Sequence, residues 1–412
     1  MTMEVTSPPA PSRAAVSFIL VTVALDVLAL GLIIPVLPKL IENFAGGDTA
    51  HAARVLGVFG TAWALMQFIF QPILGMASDR FGRRPVVLLS NLGTGLDYIF
   101  MALAPSLGIL FIGRIISGIC AASFSTATAY IADVTPQDKR ASAFGMIGAA
   151  FGVGFVLGPA VGGLLGASDP RLPFWVAAAF SISNAIYGYF VLPESLPEDR
   201  RAPFNWRRAN PIGSIHLLRS NPVLTGLAAV NFIFQLAYVV LPSVFVLYAG
   251  YRYGWDTRAV GLALAVVGIC SAIVQGGLIR PVIRRFGERR ALLAGLTAGT
   301  LGFALYGLAP TGEMFLLAIP VMTLWGFTTP ASQALMTRLV SPSEQGQLQG
   351  AGASLTAIAS MIGPSVFTQV FAHFISGEKA TQIPGAPFLL AAAMLACATL
   401  LAWTTTRGIE EG

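Results

Sequence analysis

Long apolar runs dominate this chain. Twelve of them recur along its 412 residues, at roughly 16–38, 56–77, 86–104, 107–132, 142–167, 173–192, 222–249, 258–280, 291–309, 313–338, 347–375 and 386–404. A helix needs about 20 apolar residues to cross the hydrocarbon core of a bilayer. Backbone groups in that core must be satisfied within the segment or in a closed barrel. Runs of this length therefore predict an all-α transmembrane fold. Glycine and proline inside them do not count against helix, because packed membrane helices tolerate both.

Composition agrees. Only 11% of residues are charged and mean hydropathy is +0.74, against about 25% charged in soluble domains. The formal net charge of +6 does not point to nucleic acid, because the cations sit in short loops between apolar runs. Cys120, Cys270 and Cys397 lie inside those runs. An odd number without metal-ligand spacing implies neither a disulfide framework nor a metal site.

The distribution of Lys and Arg sets the orientation. With the N-terminus inside, 18 fall in cytoplasmic segments and 6 on the opposite side. Both termini are then expected in the cytosol, with an even number of spans. The first run is too long for a signal-peptide core and no A-x-A site closes it, so it reads as a retained helix. The expected organisation is a cytoplasmic tail at 1–15, a six-helix bundle at 16–192, a linker at 193–221, a second bundle at 222–404 and a tail at 405–412. The linker is the longest polar stretch, with a short surface helix expected around Ile212–Leu218 that carries His216.

An internal repeat supports the division. Arg80-Phe81-Gly82-Arg83-Arg84 recurs as Arg285-Phe286-Gly287-Glu288-Arg289-Arg290, and Gly158-Pro159 recurs as Gly363-Pro364, both at an offset of 205. Duplicated halves in parallel orientation place a cavity between them near the midplane.

Asp26 stands at the centre of the first run, where a charge costs ~2.5–3.5 kcal/mol on insertion scales. Asp97 in the third run, Gln67 in the second and Arg114 in the fourth lie at a similar depth. A carboxylate poised between burial and a nearby guanidinium can load and release a proton. Asp97 and Arg114 also fit a static pair that holds helices together. The loop Gly75–Pro85 reads as a gate, with Asp79, Arg83 and Arg84 at one end of the bundle and Asp133 as the partner of Arg83. In the second copy Arg284 replaces Asp79, which leaves that gate incomplete. The fifth run, GAAFGVGFVLGPAVGGLLG, suits close helix packing or a flexible seam between halves around Gly158 and Pro159. Asn231, Gln235, Ser271, Gln275 and Trp325 suit either packing or a mostly apolar solute held by a few hydrogen bonds.

These segments resemble the major facilitator superfamily: LDVLALGLIIPVLPKL, ALMQFIFQPILGMASDRFGRRPVVLLS, GLDY, LFIGRIISG and the fifth-run glycines. RFGERRALLAG and SPSEQGQLQGA narrow the resemblance to the tetracycline/proton antiporters. It implies a twelve-helix major facilitator fold of two pseudo-symmetric six-helix bundles in a bacterial inner membrane. The implied activity is drug efflux: a tetracycline chelated to a divalent metal such as Mg2+ leaves in exchange for protons. The resemblance implies no resident cofactor, since the proton gradient supplies the driving force, and it implies a monomer. It assigns Asp26 and Asp97 as essential carboxylates and Arg114 as their helix-four partner. Asp79, Arg83 and Asp133 match the gating loop, and Gln67 matches a substrate position. One departure stands out. Where these exporters carry a histidine a few residues before a Gln, this chain has Ser271 before Gln275. A serine does not titrate near neutral pH, so coupling is expected to rest on Asp26 and Asp97. The rival readings are a superfamily transporter for another solute and a membrane enzyme. The enzyme lacks support, since no Ser/His/Asp set, metal-spaced cluster or phosphate loop is present.

Overall fold

The computed structural model describes residues 13–121, 123–136, 139–202, 213–219, 221–376 and 382–407. Much of the linker, including Arg207 and Arg208, lies outside the described residues, as do Lys379 and most of both tails.

The regular structure of the described residues is entirely helical. Before the linker come α1 (Arg13–Ile33), α2 (Leu37–Phe44), α3 (Thr49–Phe81), α4 (Arg83–Leu103), α5 (Leu107–Cys120), α6 (Ser123–Val134), α7 (Arg140–Ser168) and α8 (Leu172–Val191). After it come α9 (Pro222–Tyr238), α10 (Val240–Tyr253), α11 (Thr257–Ile273), α12 (Ile279–Leu308), α13 (Gly312–Thr323), α14 (Thr328–Thr337), α15 (Gln345–Ile375) and α16 (Ala386–Thr405). Among the described residues, ten helical runs are long and apolar enough to cross a membrane. Two expected spans merge into the run Thr257–Leu308, where Gly287 takes a non-helical φ of 77°. The fourth expected span is represented by the shorter Leu107–Cys120 and by α6. The linker helix is a 3₁₀ turn, Gly213–Arg219, with Leu218 buried and His216 exposed.

Several expected spans are broken along their length. The first gives way before Pro35, the seventh at Val239, and the tenth through a 3₁₀ turn at Leu324–Phe327. The eighth contains a π-turn at Val274–Leu278, around the Gly276-Gly277 pair. Backbone groups freed at such breaks need other partners, and π-turns of this kind gather at functional sites.

Most packing stays within each half of the chain. Two seams join the halves: α7 against α11, and α3 against α15. They are related by the repeat, since Gly158-Pro159 lies on α7 and Gly363-Pro364 on α15.

Candidate functional site

The acids of the first half are turned into protein. Asn184 on α8 is 1% exposed, and its Nδ2 donates to Asp26 Oδ1 at 3.0 Å and to the Thr22 carbonyl at 3.1 Å. It ties the Asp26 carboxylate to the helix turn before it. Sequence reasoning missed Asn184, although an amide in the middle of AAAFSISNAIYGYF is itself a signal. Asp97 on α4 is 2% exposed, and its Oδ1 faces α5 so closely that a Cβ on Gly113 would sit 3.3 Å away. Among the described residues no hydrogen bond reaches either Asp97 oxygen, and no ion pair within 4.0 Å joins Asp97 to Arg114. Arg114 instead lies over the Trp63 ring at 5.1 Å, with its Nε unpaired. The close pair needed for a static clamp is therefore not formed in this state. Asp26 and Asp97 both act electrostatically on the buried Tyr98, which places the two acids in one neighbourhood. Half-buried Gln67 accepts from Gln71 Nε2 at 3.2 Å, one turn along α3.

The residues expected to form a gate come together. Arg83 Nη1 meets Asp79 Oδ1 at 2.6 Å and Ser78 Oγ at 2.6 Å, and Arg83 Nε meets Asp133 Oδ2 at 3.1 Å. One guanidinium thus ties the end of α3 to the end of α6. The turn that presents it depends on Gly82, whose φ is 103° and whose missing Cβ leaves room for the Glu194 carboxylate. Glu194 Oε1 accepts from the backbone N–H of Arg83 at 2.8 Å and Oε2 from that of Arg84 at 3.2 Å. It places negative charge at the start of α4, where the helix dipole favours it. Sequence reasoning missed Glu194, because its partner lies 111 residues away.

The second half carries the same latch with its charges exchanged. Glu288 occupies the place of Arg83 and Arg338 that of Asp133, and they pair at 2.6 Å. Gly287 repeats the Gly82 turn, with φ 77° and ψ 163° against 103° and 156°. Among the described residues the second latch lacks the counterpart of the Asp79–Arg83 pair, as Arg284 in place of Asp79 predicts, but its other pair is kept with reversed polarity. Reversing either charge alone (Glu288→Arg or Arg338→Glu) is expected to slow transport, and the double reversal to restore it. An exposed pair contributes only about 0.2–1 kcal/mol, so the readout is transport rate rather than melting temperature. A double variant no better than the singles would show that the pair does not act as a unit.

The seams lie toward the end of the molecule opposite the latch. On α7, a Cβ at Gly158 would lie 2.6 Å from the Gly31 Cα of α1, and one at Gly163 would lie 2.3 Å from the Thr257 carbonyl of α11. The run of small residues thus packs on α1 on one side and forms a seam with the other half on the other. Pro159 lies at the same crossing, its carbonyl 2.3 Å from a Cβ on Gly261. On α3, Gly57 and Gly60 admit Thr368 and Pro364 of α15, and Thr61 Oγ1 donates to the Met361 carbonyl at 2.9 Å. A Cβ on Gly75, Gly148, Gly152, Gly276 or Gly352 would meet nothing within 4 Å among the described residues.

The second-half residues divide. Trp325 packs among Phe234, Tyr238 and Phe303, with ring centroids at 5.4, 5.1 and 5.3 Å. Tyr238 closes one face of this cluster yet keeps 42% exposure. Asn231 donates to Met336 Sδ at 3.1 Å and Gln235 to Thr356 Oγ1 at 3.0 Å, both within their own half. Gln275 is exposed on the π-turn beside Gly326, and Ser271 is half-buried one turn earlier.

Membrane-crossing helices that meet along two seams, with ionisable groups inside, define a secondary transporter rather than an enzyme. The model of the Major Facilitator Superfamily matches residues 19–364 and 278–410. The class C tetracycline resistance protein of Escherichia coli is 43% identical over 88% of this chain and 90% of its own length. The class G protein of Vibrio anguillarum is 39% identical over 87% and 91%. The crystal structure of the human organic anion transporter MFSD10 is 25% identical, with a TM-score of 0.70 over 96% of this chain and all of that one (100%). The chain belongs to the Major Facilitator Superfamily and, within it, to the family of the tetracycline resistance proteins.

Proposed function

We propose that this protein is a proton-coupled antiporter of the inner membrane that exports tetracycline, or a similar amphipathic drug, by alternating access. In this reading twelve spans form bundles at 16–192 and 222–404, joined by a cytoplasmic linker at 193–221, with the tails 1–15 and 405–412 in the cytosol. The merged run at Thr257–Leu308 counts as two spans, and α5 with α6 as one. The carrying observation is the pair of acids Asp26 and Asp97, turned inward in a molecule whose halves meet along two seams. The relatives' names support tetracycline as the solute.

The mechanism follows from the geometry. The latch end faces the cytosol, where drug enters between the halves as a metal chelate or the free molecule. Trp325 and Tyr238 offer apolar faces, and Gln67, Ser271 and Gln275 offer hydrogen bonds that orient it. Asn231 and Gln235 shape the wall from behind. Asp26 exchanges its proton while half-open, held by Asn184. Asp97 is sealed in this state, so it exchanges when α4 and α5 shift and Arg114 changes its distance. The seams then open and the latch end closes, with Gly158 and Pro159 at the pivot. Arg83, Asp79 and Asp133 hold the latch loop to its own bundle. No resident cofactor takes part, the transporter acts as a monomer, and the only other partner is the bilayer.

Ser271, where the resembled exporters have histidine, favours one second reading, a related amphipathic solute. Expression in a drug-sensitive host is expected to raise the inhibitory concentration of tetracycline several-fold. Unchanged tetracycline sensitivity, together with gradient-driven flux of another drug, would transfer the assignment to that drug.

A further inference from the structure

We propose that a cleft between the start of α4 and the end of α8 binds the phosphate of an anionic glycerophospholipid from the surrounding leaflet. The cleft holds about 380 Å³ and is lined by Phe81, Arg84, Leu88, Tyr189, Glu194 and Arg201. It lies where two uncovered apolar stripes end. On α4, Leu89, Leu92, Leu96 and Leu103 are 67, 40, 55 and 60% exposed; on α8, Ile186 and Phe190 are 55 and 78% exposed. In a membrane protein such stripes face acyl chains. α4 has 21 residues, about 30 Å at 1.5 Å per residue, which matches the hydrocarbon thickness. Its first turn, with Arg84, therefore sits at headgroup depth.

The chemistry of the cleft selects an anion. Among the described residues, Arg84 Nε and Arg201 Nε are both buried without a hydrogen-bond partner. A buried donor left unmatched is unfavourable, and an acceptor of the right shape would relieve it. The guanidinium groups are already held in place. Arg84 Nη2 donates to the Tyr189 carbonyl at 2.5 Å, and Arg84 lies over the Tyr189 ring at 5.6 Å. Arg201 Nη1 stands 3.6 Å from Glu198 Oε1. Phosphate oxygens match such planar forks. The acid in the cleft does not compete, because Glu194 is occupied by the N–H groups of Arg83, Arg84, Ser195 and Leu196. A lipid is favoured over free phosphate because Leu88, Phe81 and Tyr189 make the rest of the wall apolar and the stripes lead directly into it. Basic pockets at helix ends hold anionic headgroups by this combination. The proposal is independent of the transported solute.

The test is native mass spectrometry of the purified full-length protein titrated with phosphatidylglycerol or phosphatidylcholine. The wild type is expected to retain phosphatidylglycerol preferentially. Arg84→Gln and Arg201→Gln should each weaken that retention about fivefold, the worth of one surface arginine at about 1 kcal/mol. Leu88→Trp, which fills the floor and leaves both arginines, should weaken it too and guards against misfolding of the Arg84 variant. Arg258→Gln, at the opposite end, should not. Equal retention in wild type and variants would overturn the proposal. So would displacement of the lipid by millimolar inorganic phosphate, which would mark a site for soluble anions.

Discussion

Asparagine at position 26 or 97 is expected to reduce pH-gradient-driven transport in proteoliposomes to the level of protein-free vesicles. Each change keeps the size and polarity of the side chain and removes only its ability to ionise. Asp26→Asn still finds the Asn184 amide as a hydrogen-bond donor, so the α1–α8 contact survives and the variant should assemble. Asp97→Asn leaves no hydrogen bond broken among the described residues and relieves the isolation of a carboxylate at 2% exposure. Both variants should therefore reach the membrane in wild-type amounts. Drug exchange between two equal pools, which needs no net proton movement, should persist at a reduced rate. Wild-type accumulation under a pH gradient in either variant would remove that acid from the coupling role. Loss of both exchange and assembly would reduce it to a structural one.

Valine at Gly163 breaks the cycle from the other side. A Cβ there would approach the Thr257 carbonyl to 2.3 Å and the Gly261 Cα to 3.0 Å. Backbone cannot yield as a flexible side chain can. Overpacking typically costs about 1–3 kcal/mol, and here the cost falls only on the state in which α7 and α11 touch. A two-state equilibrium burdened that way shifts by roughly 5- to 150-fold. Gly163→Val should accumulate the form open at the seam end and lose transport, while folding and inserting normally. Spin labels at Asp169 and Arg258, both exposed at that end, should report longer separations in the variant. An unchanged distance distribution with transport intact would show that this seam never needs to close.

Much of this was legible in the sequence, for a simple reason. A bilayer imposes length and polarity on every crossing, so the runs announced themselves, and the offset of 205 residues announced the second half. Asp26, Asp97 and Arg114 were conspicuous because charge in such runs is costly. The gating trio was legible because Arg83 and Asp79 sit one turn apart. Features that depend on distant partners were hidden. Glu194 looks like a linker residue until the chain brings it onto the Gly82 turn. Asn184 looks like an ordinary small polar residue until α8 lies on α1. The breaks at Val239 and Leu324 were legible too, since Pro242 follows the first by three residues and Gly326 and Pro330 sit in and just after the second, and a proline cannot bond to the carbonyl one turn earlier. The exchange of charge between Arg83–Asp133 and Glu288–Arg338 could have been read from the repeat, by carrying the alignment through to both partners.

That exchange bears on how the two halves can be recombined. Lock and key are matched within each bundle, and the match is opposite in the two. A hybrid gene joined in the linker would keep both sets intact. One joined between residues 288 and 338, to a parent whose second half has the first half's order of signs, would bring two carboxylates face to face. Exchange of whole bundles is thus easier for this architecture than exchange of fragments.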